Sequence, residues 1–531
     1  MAYNSARVTL KSWLVLGRGS FTRKLPHNLA RQPVSVLWSV MTIVLTLLVS
    51  GCNVAPTPIS DEALRAAIET DKANIAAIAA PVSGPLSLSE AIARALKYNL
   101  NHRTRLLEES LASAQFDLSK MDMLPQVMAG VGYSGRDREN IRRAVDSVTG
   151  LPSLSNPFIT SEPEHVTADL GLTWNLLDFG VSYYGAKQNA DRLLVAGERR
   201  RQAMHELIQR TRSAFWRAVA ADKLDAAVRD NLDEAERALA KSRSMLKQRI
   251  RQPSSALRYQ RNLLENLRLL ESVQRELSAS RVELASLIGA EPGQVLSLIE
   301  PDRNNASLLE LDVLTMEEVA LANNASLREE HYNVRITALQ TRKSLVQMLP
   351  GVSLDYGSYY DDDDFLIYES WRQGGLRVTY NLLNLLAIPK QQRAAKAAER
   401  VAETRRMALQ VAVLTQVHLG RNYYRSVLRQ FERAEQIADI DMQLMELSSN
   451  ESQSGTGSEL DRVAANAVSI LSEVRRYQAI ARVEEAASQL QATLGLEPEL
   501  ASLDQLSMPA LTDIMRRELA RDFSSVRAPG I

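Results

Sequence analysis

The sequence predicts a mainly α-helical chain that carries two pairs of alternating β-strands and is laid out as two tandem repeats. Three observations predict this. Met123-Leu124-Pro125 recurs as Met348-Leu349-Pro350, with Asn99 and Asn324 at the same offset, and Gly171 to Asp178 matches Arg377 to Asn384 nearly position for position. Each repeat holds two runs in which every second residue is apolar, the period of a strand. Each then continues into more than a hundred residues that are poor in helix breakers and end on Leu287-Ile288-Gly289-Ala290-Glu291-Pro292 or Leu494-Gly495-Leu496-Glu497-Pro498.

Composition narrows the function classes. The chain has 531 residues, 45% hydrophobic, with 63 basic and 63 acidic residues and 5% aromatics, so neither nucleic-acid affinity nor compositional disorder is expected. One cysteine cannot form an internal disulfide or a thiolate-rich metal site, and six scattered histidines argue against a zinc enzyme.

The balanced charge hides an asymmetry. Residues 1–51 hold six Lys/Arg and no Asp or Glu, which leaves 57 basic against 63 acidic residues in the remainder. These basic residues precede the uncharged run from Val34 to Ser50, the order of a secretory signal. The run ends at Val49-Ser50-Gly51-Cys52, which resembles a bacterial lipobox and makes Cys52 the lipidation candidate. Residues 1–51 are then a signal peptide and 52–85 a lipidated linker. Asn53 takes the place where Asp would, by the same resemblance, favour inner-membrane retention, so outer-membrane sorting is expected. An uncleaved anchor is the alternative, since a 17-residue apolar run just spans a thin bilayer.

Strands are predicted near 126–138 and 165–178 in the first repeat, and near 351–360 and 375–385 in the second. The apolar positions include Val127, Val131, Leu170, Leu172 and Trp174, then Leu354, Tyr356, Leu376 and Val378; Thr167, Asp169, Thr173, Ser353, Asp355 and Arg377 fall between them. A half-buried sheet in a soluble domain has the same alternation. Strands of about ten residues with aromatics near their ends, however, fit a tilted transmembrane barrel stave. The segments 136–163 and 361–371 read as polar loops. Four strands cannot close, and an open edge in lipid leaves backbone groups unsatisfied at several kcal/mol each. Three copies give about twelve strands, enough for a lumen, whereas two give an interior filled by side chains.

The helical hairpins are predicted over about 183–289 and 389–495. Leu232, Ala235, Leu239 and Leu246 fall at spacings of three and four among charged residues, a coiled-coil pattern. A solvated coiled-coil rod reads the same way from periodicity alone.

Taken together, the lipobox, the duplicated helix-strand-strand-helix plan and the segment Thr173 to Gly180 resemble the TolC-type outer-membrane efflux channels. The resemblance covers Leu86 to about Pro498, with a first repeat at 86–300, a second at 313–500 and a C-terminal equatorial segment at 501–531. It implies a homotrimer whose twelve-stranded barrel is continuous with a coiled-coil periplasmic tunnel, anchored in outer-membrane lipid, with no cofactor beyond the lipid on Cys52 and no catalytic residues. It further implies a periplasmic adaptor and an inner-membrane pump of resistance-nodulation-division or ABC type as partners. The chain would then be the exit duct of a tripartite efflux system. An outlet for ABC-driven (type I) protein secretion is the alternative within that class, and a pore-less periplasmic scaffold lipoprotein is the alternative outside it.

In that family the hairpins turn at the periplasmic tip on Gly, two residues, Ser/Thr, two residues, Asp. Here Gly455, Ser458 and Asp461 fit, with Gly457 and Leu460 between them. Gly permits the turn, Ser458 can cap the next helix, and Asp461 suits the positive end of its dipole. The resemblance makes these the adaptor-docking tip and Asp461 an aperture residue. The first tip, Gln252-Pro253-Ser254-Ser255-Ala256-Leu257-Arg258, departs from the pattern. It has no glycine, and a motif alignment sets Arg258 level with the acid, so that an Arg258 to Asp461 link could replace the family's latch. Gln252, Pro253, Ser255 and Leu257 are its docking candidates.

Other signals are set aside. His205-Glu206-Leu207-Ile208-Gln209 lacks the second histidine of a zinc helix. Asp361 to Asp364 could gather a Ca²⁺, but such a run in a loop reads as solvated. Arg199-Arg200-Arg201 lies within a helix and reads as a solvated face.

Overall fold

The structure, a computed structural model, describes residues 56–82, 84–143, 145–152, 158–248, 253–301, 307–456, 459–496, 498, 500, 506–524 and 526–527. The chain divides at residue 76 into two compact units. The first carries most of helix α1 (Asp61–Ile78), which buries none of its residues. Cys52 and the apolar run before it lie outside the described residues.

The second unit follows one plan twice. Helices α2 (Leu88–Tyr98) and α3 (Leu100–Met121) lead to β1 (Gln126–Gly135), a small hairpin of β2 (Ile141–Arg142) and β3 (Phe158–Ile159), and β4 (Glu164–Asn175). The long hairpin α4 (Leu176–Lys247) and α5 (Pro253–Ile288) completes the first copy. After a 3₁₀ turn at Ser307–Glu310, the second copy runs α6 (Val313–Asn323), α7 (Ala325–Val346), β5 (Gly351–Asp361), β6 (Ser370–Thr379), α8 (Asn384–Gln453) and α9 (Glu459–Leu494). Helix α10 (Met508–Leu519) closes the chain. At a rise of 1.5 Å per residue, the 72-residue α4 is on the order of 100 Å long. Among the described residues no helix is long and apolar enough to cross a membrane.

The repeated words mark repeated backbone geometry. Asn99 ends α2 and caps α3, its side chain accepting from His102 N–H at 3.2 Å; Asn324 ends α6 and caps α7, accepting from Leu327 N–H at 3.0 Å. Their amides donate to the last turns of α5 and α9, at Leu287 O (3.4 Å) and Thr493 O (2.9 Å). Each asparagine therefore serves a helix junction and the end of its long hairpin at once. Gly289 and Gly495 follow those hairpins with φ of 70° and 67°, the left-handed conformation that ends a helix. A Cβ on Gly495 would lie 2.3 Å from the Asn323 carbonyl oxygen. Gly495→Ala is therefore expected to cost at least ~1–2 kcal/mol from the backbone conformation alone, read as a lower midpoint for thermal loss of helical signal.

The core lies where the short helices meet the long ones. Phe215, Trp216, Leu270, Leu284 and Ile288 pack with Ile92 and Leu96 of α2 and with Leu511 and Met515 of α10. A second cluster joins Met316 and Leu327 to Val417, Tyr424 and Leu490, with Phe523 of the C-terminal stretch. Lys97 donates to Leu506 O at 2.7 Å, which fixes the approach to α10.

Several boundaries differ from expectation. Strand β4 stops at Asn175 because its side chain accepts from Leu177 and Asp178 N–H and starts α4 at once, so the helix begins at Leu176 rather than near 183. Strand β6 spans Ser370–Thr379 rather than 375–385, since Asn381 accepts from Leu383 N–H and turns the chain into α8. Tyr380 and Leu382 extend the alternation in sequence but not in the strand. Helix α8 starts at Asn384, ahead of Pro389, which sits inside it. The segment 136–163 is not wholly loop, because β2 and β3 pair within it.

Candidate functional site

The strands form one antiparallel sheet in the order β1-β4-β5-β6. Its register sorts the side chains onto two faces. Val127 lies opposite Leu172, Leu172 opposite Tyr356, Trp174 opposite Leu354, and Leu354 opposite Leu376. One row of this face ends in polar residues, Ser358 and Arg372 beside Leu170. The other face carries Asp169, Thr173, Asp355 and Arg377; Thr173 Oγ1 donates to Asp355 Oδ1 at 3.0 Å, and Tyr359 stacks on Trp371 with ring centroids 5.6 Å apart. Glycines keep that polar face low: a Cβ on Gly130 would strike the Asp169 carboxylate, and one on Gly357 the Tyr359 ring. The apolar face is exposed in the single chain, with Val131 83% and Leu376 67% accessible. An apolar surface of that breadth marks a site meant to be covered. Strands β1 and β6 form the two edges, and neither pairs further among the described residues.

Beyond the end of the sheet, the acidic run acts as a brace. Asp363 is 6% exposed and its Oδ1 accepts from Glu162 N–H and Phe365 N–H, both at 3.1 Å; Asp362 accepts from Val166 N–H. The run is thus not simply solvated, and no metal-binding group occurs among the described residues. Its carboxylates tie the turn after β5 to the approach of β4.

At the opposite end of the long helices, α8 closes on Ser454, Gly455 with φ of 77°, and Thr456, whose N–H reaches Glu451 O at 3.0 Å. Helix α9 opens with Glu459 and Asp461 in its first turn. Pro253 is the first described residue of α5. Gln252, Gly457, Ser458 and the side chain of Leu460 lie outside the described residues. Pro253, Ser255, Leu257, Arg258 and Asp461 are all exposed.

The tip corrects the motif alignment. Helices α5 and α9 are both 36 residues long, and the same offset separates Pro253 from Glu459 and Gly289 from Gly495. Asp461 therefore corresponds to Ser255, whereas Arg258 lies one helical turn deeper. Arg258 and Asp461 form no ion pair among the described residues. The ionic contacts there are Lys241 to Glu459 at 2.8 Å and Arg462 to Glu234, both between α4 and α9. Glu459, by hydrogen bond and charge, raises the Lys241 pKa above its ordinary value.

A further site was not anticipated. Arg212 of α4 is buried and donates through Nε to Glu484 Oε2 of α9 at 2.9 Å, through Nη2 to the same oxygen, and through Nη1 to Gln491 Oε1 at 3.1 Å. Burial, with Glu484 nearby, pushes the Tyr424 hydroxyl up to about 12, against a smaller lowering by Arg212. Nearer the sheet, Asp191 holds Arg335 at 2.9 Å from two of its oxygens, and Glu198 bonds Arg201 and Arg328. The Arg199 to Arg201 run is engaged in these contacts: Arg199 pairs with Glu329 at 2.9 Å and Arg200 with Glu109 at 2.7 Å. The incomplete zinc helix leaves His205 half-buried, lining one small cavity with Arg212, and no metal-binding group occurs among the described residues.

The fold of the chain is similar to that of solved outer-membrane channels. The Campylobacter jejuni CmeC outer-membrane channel is 12% identical, with a TM-score of 0.58 over 82% of this chain and 89% of that chain. The outer-membrane channel OprN is 14% identical, with a TM-score of 0.57 over 77% and 89%. The open state of the Neisseria gonorrhoeae MtrE outer-membrane channel is 16% identical, with a TM-score of 0.55 over 77% and 88%. The sequence matches no protein-family model and no curated protein. The chain thus has the fold of the TolC-type outer-membrane channels.

Proposed function

We propose that this chain is a channel subunit of the outer membrane, the exit duct of a tripartite efflux system, and not an enzyme. The observation that carries this reading is the sheet: four strands, two open edges and an exposed apolar face, on a chain with the channel fold. Such a sheet is untenable alone in lipid, because its edges leave backbone groups unpaired. Three copies close twelve strands around the polar face, and the long helices continue the passage through the periplasm. The lipid on Cys52 anchors the assembly, the repeats at 86–300 and 313–500 supply the two hairpins, and the tips around Gln252 and Gly455 to Leu460 meet a periplasmic adaptor coupled to an inner-membrane pump. The purified chain is expected to migrate as a heat-dissociable oligomer and to give single-channel steps in planar bilayers. A protein with neither property is a scaffold, and the duct reading falls.

Two features of that reading have their own tests. Cys52→Ala should abolish incorporation of labelled fatty acid, and a retained label would refute the lipobox. Asp461 is exposed in the first turn of α9; three copies of it at the aperture form an acidic constriction that favours cations. Asp461→Asn should move the reversal potential toward zero and weaken block by a trivalent cation, while loss of its favourable position near the helix dipole costs only ~0.3–1 kcal/mol. Unchanged selectivity would leave Asp461 only its favourable place near the helix dipole.

A further inference from the structure

A tryptophan buried in a folded chain normally finds an acceptor for its ring N–H. Trp216 of α4 is 2% exposed, and its Nε1–H meets none among the described residues. It lines a cavity of about 1030 Å³ at the joint between the two repeats, walled by α2, α4, α9, the 3₁₀ turn at Ser307–Glu310 and the end of α10. That volume lies at the upper end of the range for sites that hold small molecules.

The wall is graded in polarity. Its buried part is rich in donors. Helix α2 begins there: Ser87 Oγ accepts from Glu90 N–H at 3.2 Å and Ser87 O from Ala91 N–H at 2.9 Å, but the N–H groups of Leu88 and Ser89, both buried residues, take no acceptor among the described residues. The positive end of the helix dipole adds to them. Arg212 is buried beside them, its charge balanced by Glu484. The rim, by contrast, offers carboxylates. Glu310 is exposed and forms no ion pair among the described residues, and Glu300 reaches Lys223 only at 3.8 Å. The rim arginines are already engaged, Arg516 with Asp513 at 2.6 Å and Arg521 with Glu518 at 3.2 Å. A simple anion gains little here, because the lining carries four acids against three arginines. The wall instead suits a ligand with an anionic, acceptor-rich end inside and a cationic end at the mouth.

We propose that this cavity binds a short peptide, its terminal carboxylate held by the N–H groups of Leu88, Ser89 and Trp216, and its amino terminus at Glu310. Convergent N–H groups are a recurrent means of capturing a chain terminus. Ile299, Pro301 and Leu519 give the peptide's side chains apolar wall between the two ends. All of these residues belong to one chain, so the site is complete with or without the oligomer, and the duct reading stands or falls separately. Because both repeats wall the cavity, an occupant holds them together and raises the thermal midpoint by mass action.

The full chain, purified in detergent, is titrated calorimetrically with trialanine, with its C-terminal amide and with its N-acetyl form. Trialanine is expected to bind, and the amide at least about ten-fold more weakly, since it loses charge-assisted hydrogen bonds. The N-acetyl form should lose less, because its contact lies at the exposed rim. Trp216→Phe keeps a ring and removes the donor; it should weaken trialanine by about ten-fold and the amide by less, so that discrimination between the two falls. Ala520→Trp fills the exposed mouth and should block all three peptides, which keeps the test decisive should Trp216→Phe disturb folding. Equal affinity for the free acid and the amide, undiminished binding to Ala520→Trp, or no binding by the folded wild type would each overturn the site.

Discussion

Leu172→Arg is expected to prevent stable insertion, whereas Thr173→Arg, the next residue along the same strand, should assemble and alter conductance. The two side chains leave β4 on opposite faces. Leu172 lies between Val127 and Tyr356 in an apolar row, and Thr173 lies beside Asp355, to which its hydroxyl donates at 3.0 Å. In the proposed barrel an arginine on the lipid face costs about 2 to 4 kcal/mol near mid-bilayer, and every copy in the ring bears that cost. On the polar face the same side chain meets the Asp355 carboxylate and, in the proposed barrel, water, so it adds positive charge to that lumen and should lower cation preference. Heat-modifiable migration of the membrane fraction reads the first effect, and single-channel reversal potentials the second. Equal tolerance at both positions would refute the assignment of faces, and with it the barrel.

Much of the fold could be read in the sequence because its repeated words are backbone instructions. Asn99 and Asn324 recur because a helix junction needs a side chain that caps one helix and reaches the hairpin beside it. Gly289 and Gly495 recur because the chain turns there in the left-handed region. The strand faces were legible from a period of two, which the register aligns across all four strands. What failed was local. Alternation continues through Tyr380 and Leu382, and period alone cannot register that Asn381 has already turned the chain. Arg258 fell level with Asp461 when letters were matched, but equal distances along unbroken helices from Gly289 and Gly495 make Ser255 the equivalent. The buried ionic contacts were invisible for a different reason. A charge on a long helix reads as solvated unless its partner is known, and Arg212 and Glu484 lie in different repeats, far apart in sequence.

That pair yields the second large expected effect. The side chains of Arg212 and Glu484 are 3% and 6% exposed, and Gln491 takes a further guanidinium N–H, so the arginine is held on several sides while α4 of one repeat is tied to α9 of the other. Arg212→Met preserves much of the volume but leaves a carboxylate in the core without its cation. Breaking a buried pair in this way costs roughly 3 to 5 kcal/mol, whereas replacing both partners by apolar residues of similar size is often neutral or stabilising. Arg212→Met should therefore lower the thermal midpoint sharply, and Arg212→Met with Glu484→Leu should recover most of the loss. The recovery separates this explanation from simple misfit, since a packing defect at Arg212 would persist in the double variant. Single-channel conductance adds a second readout: the pair joins the repeats at the core and lines no face of the sheet, so the double variant, once folded, should conduct as the wild type does. If the double variant is no more stable than Arg212→Met alone, the charge pair is not what fastens the two repeats, and the apolar contacts around Phe215 and Trp216 carry that junction instead.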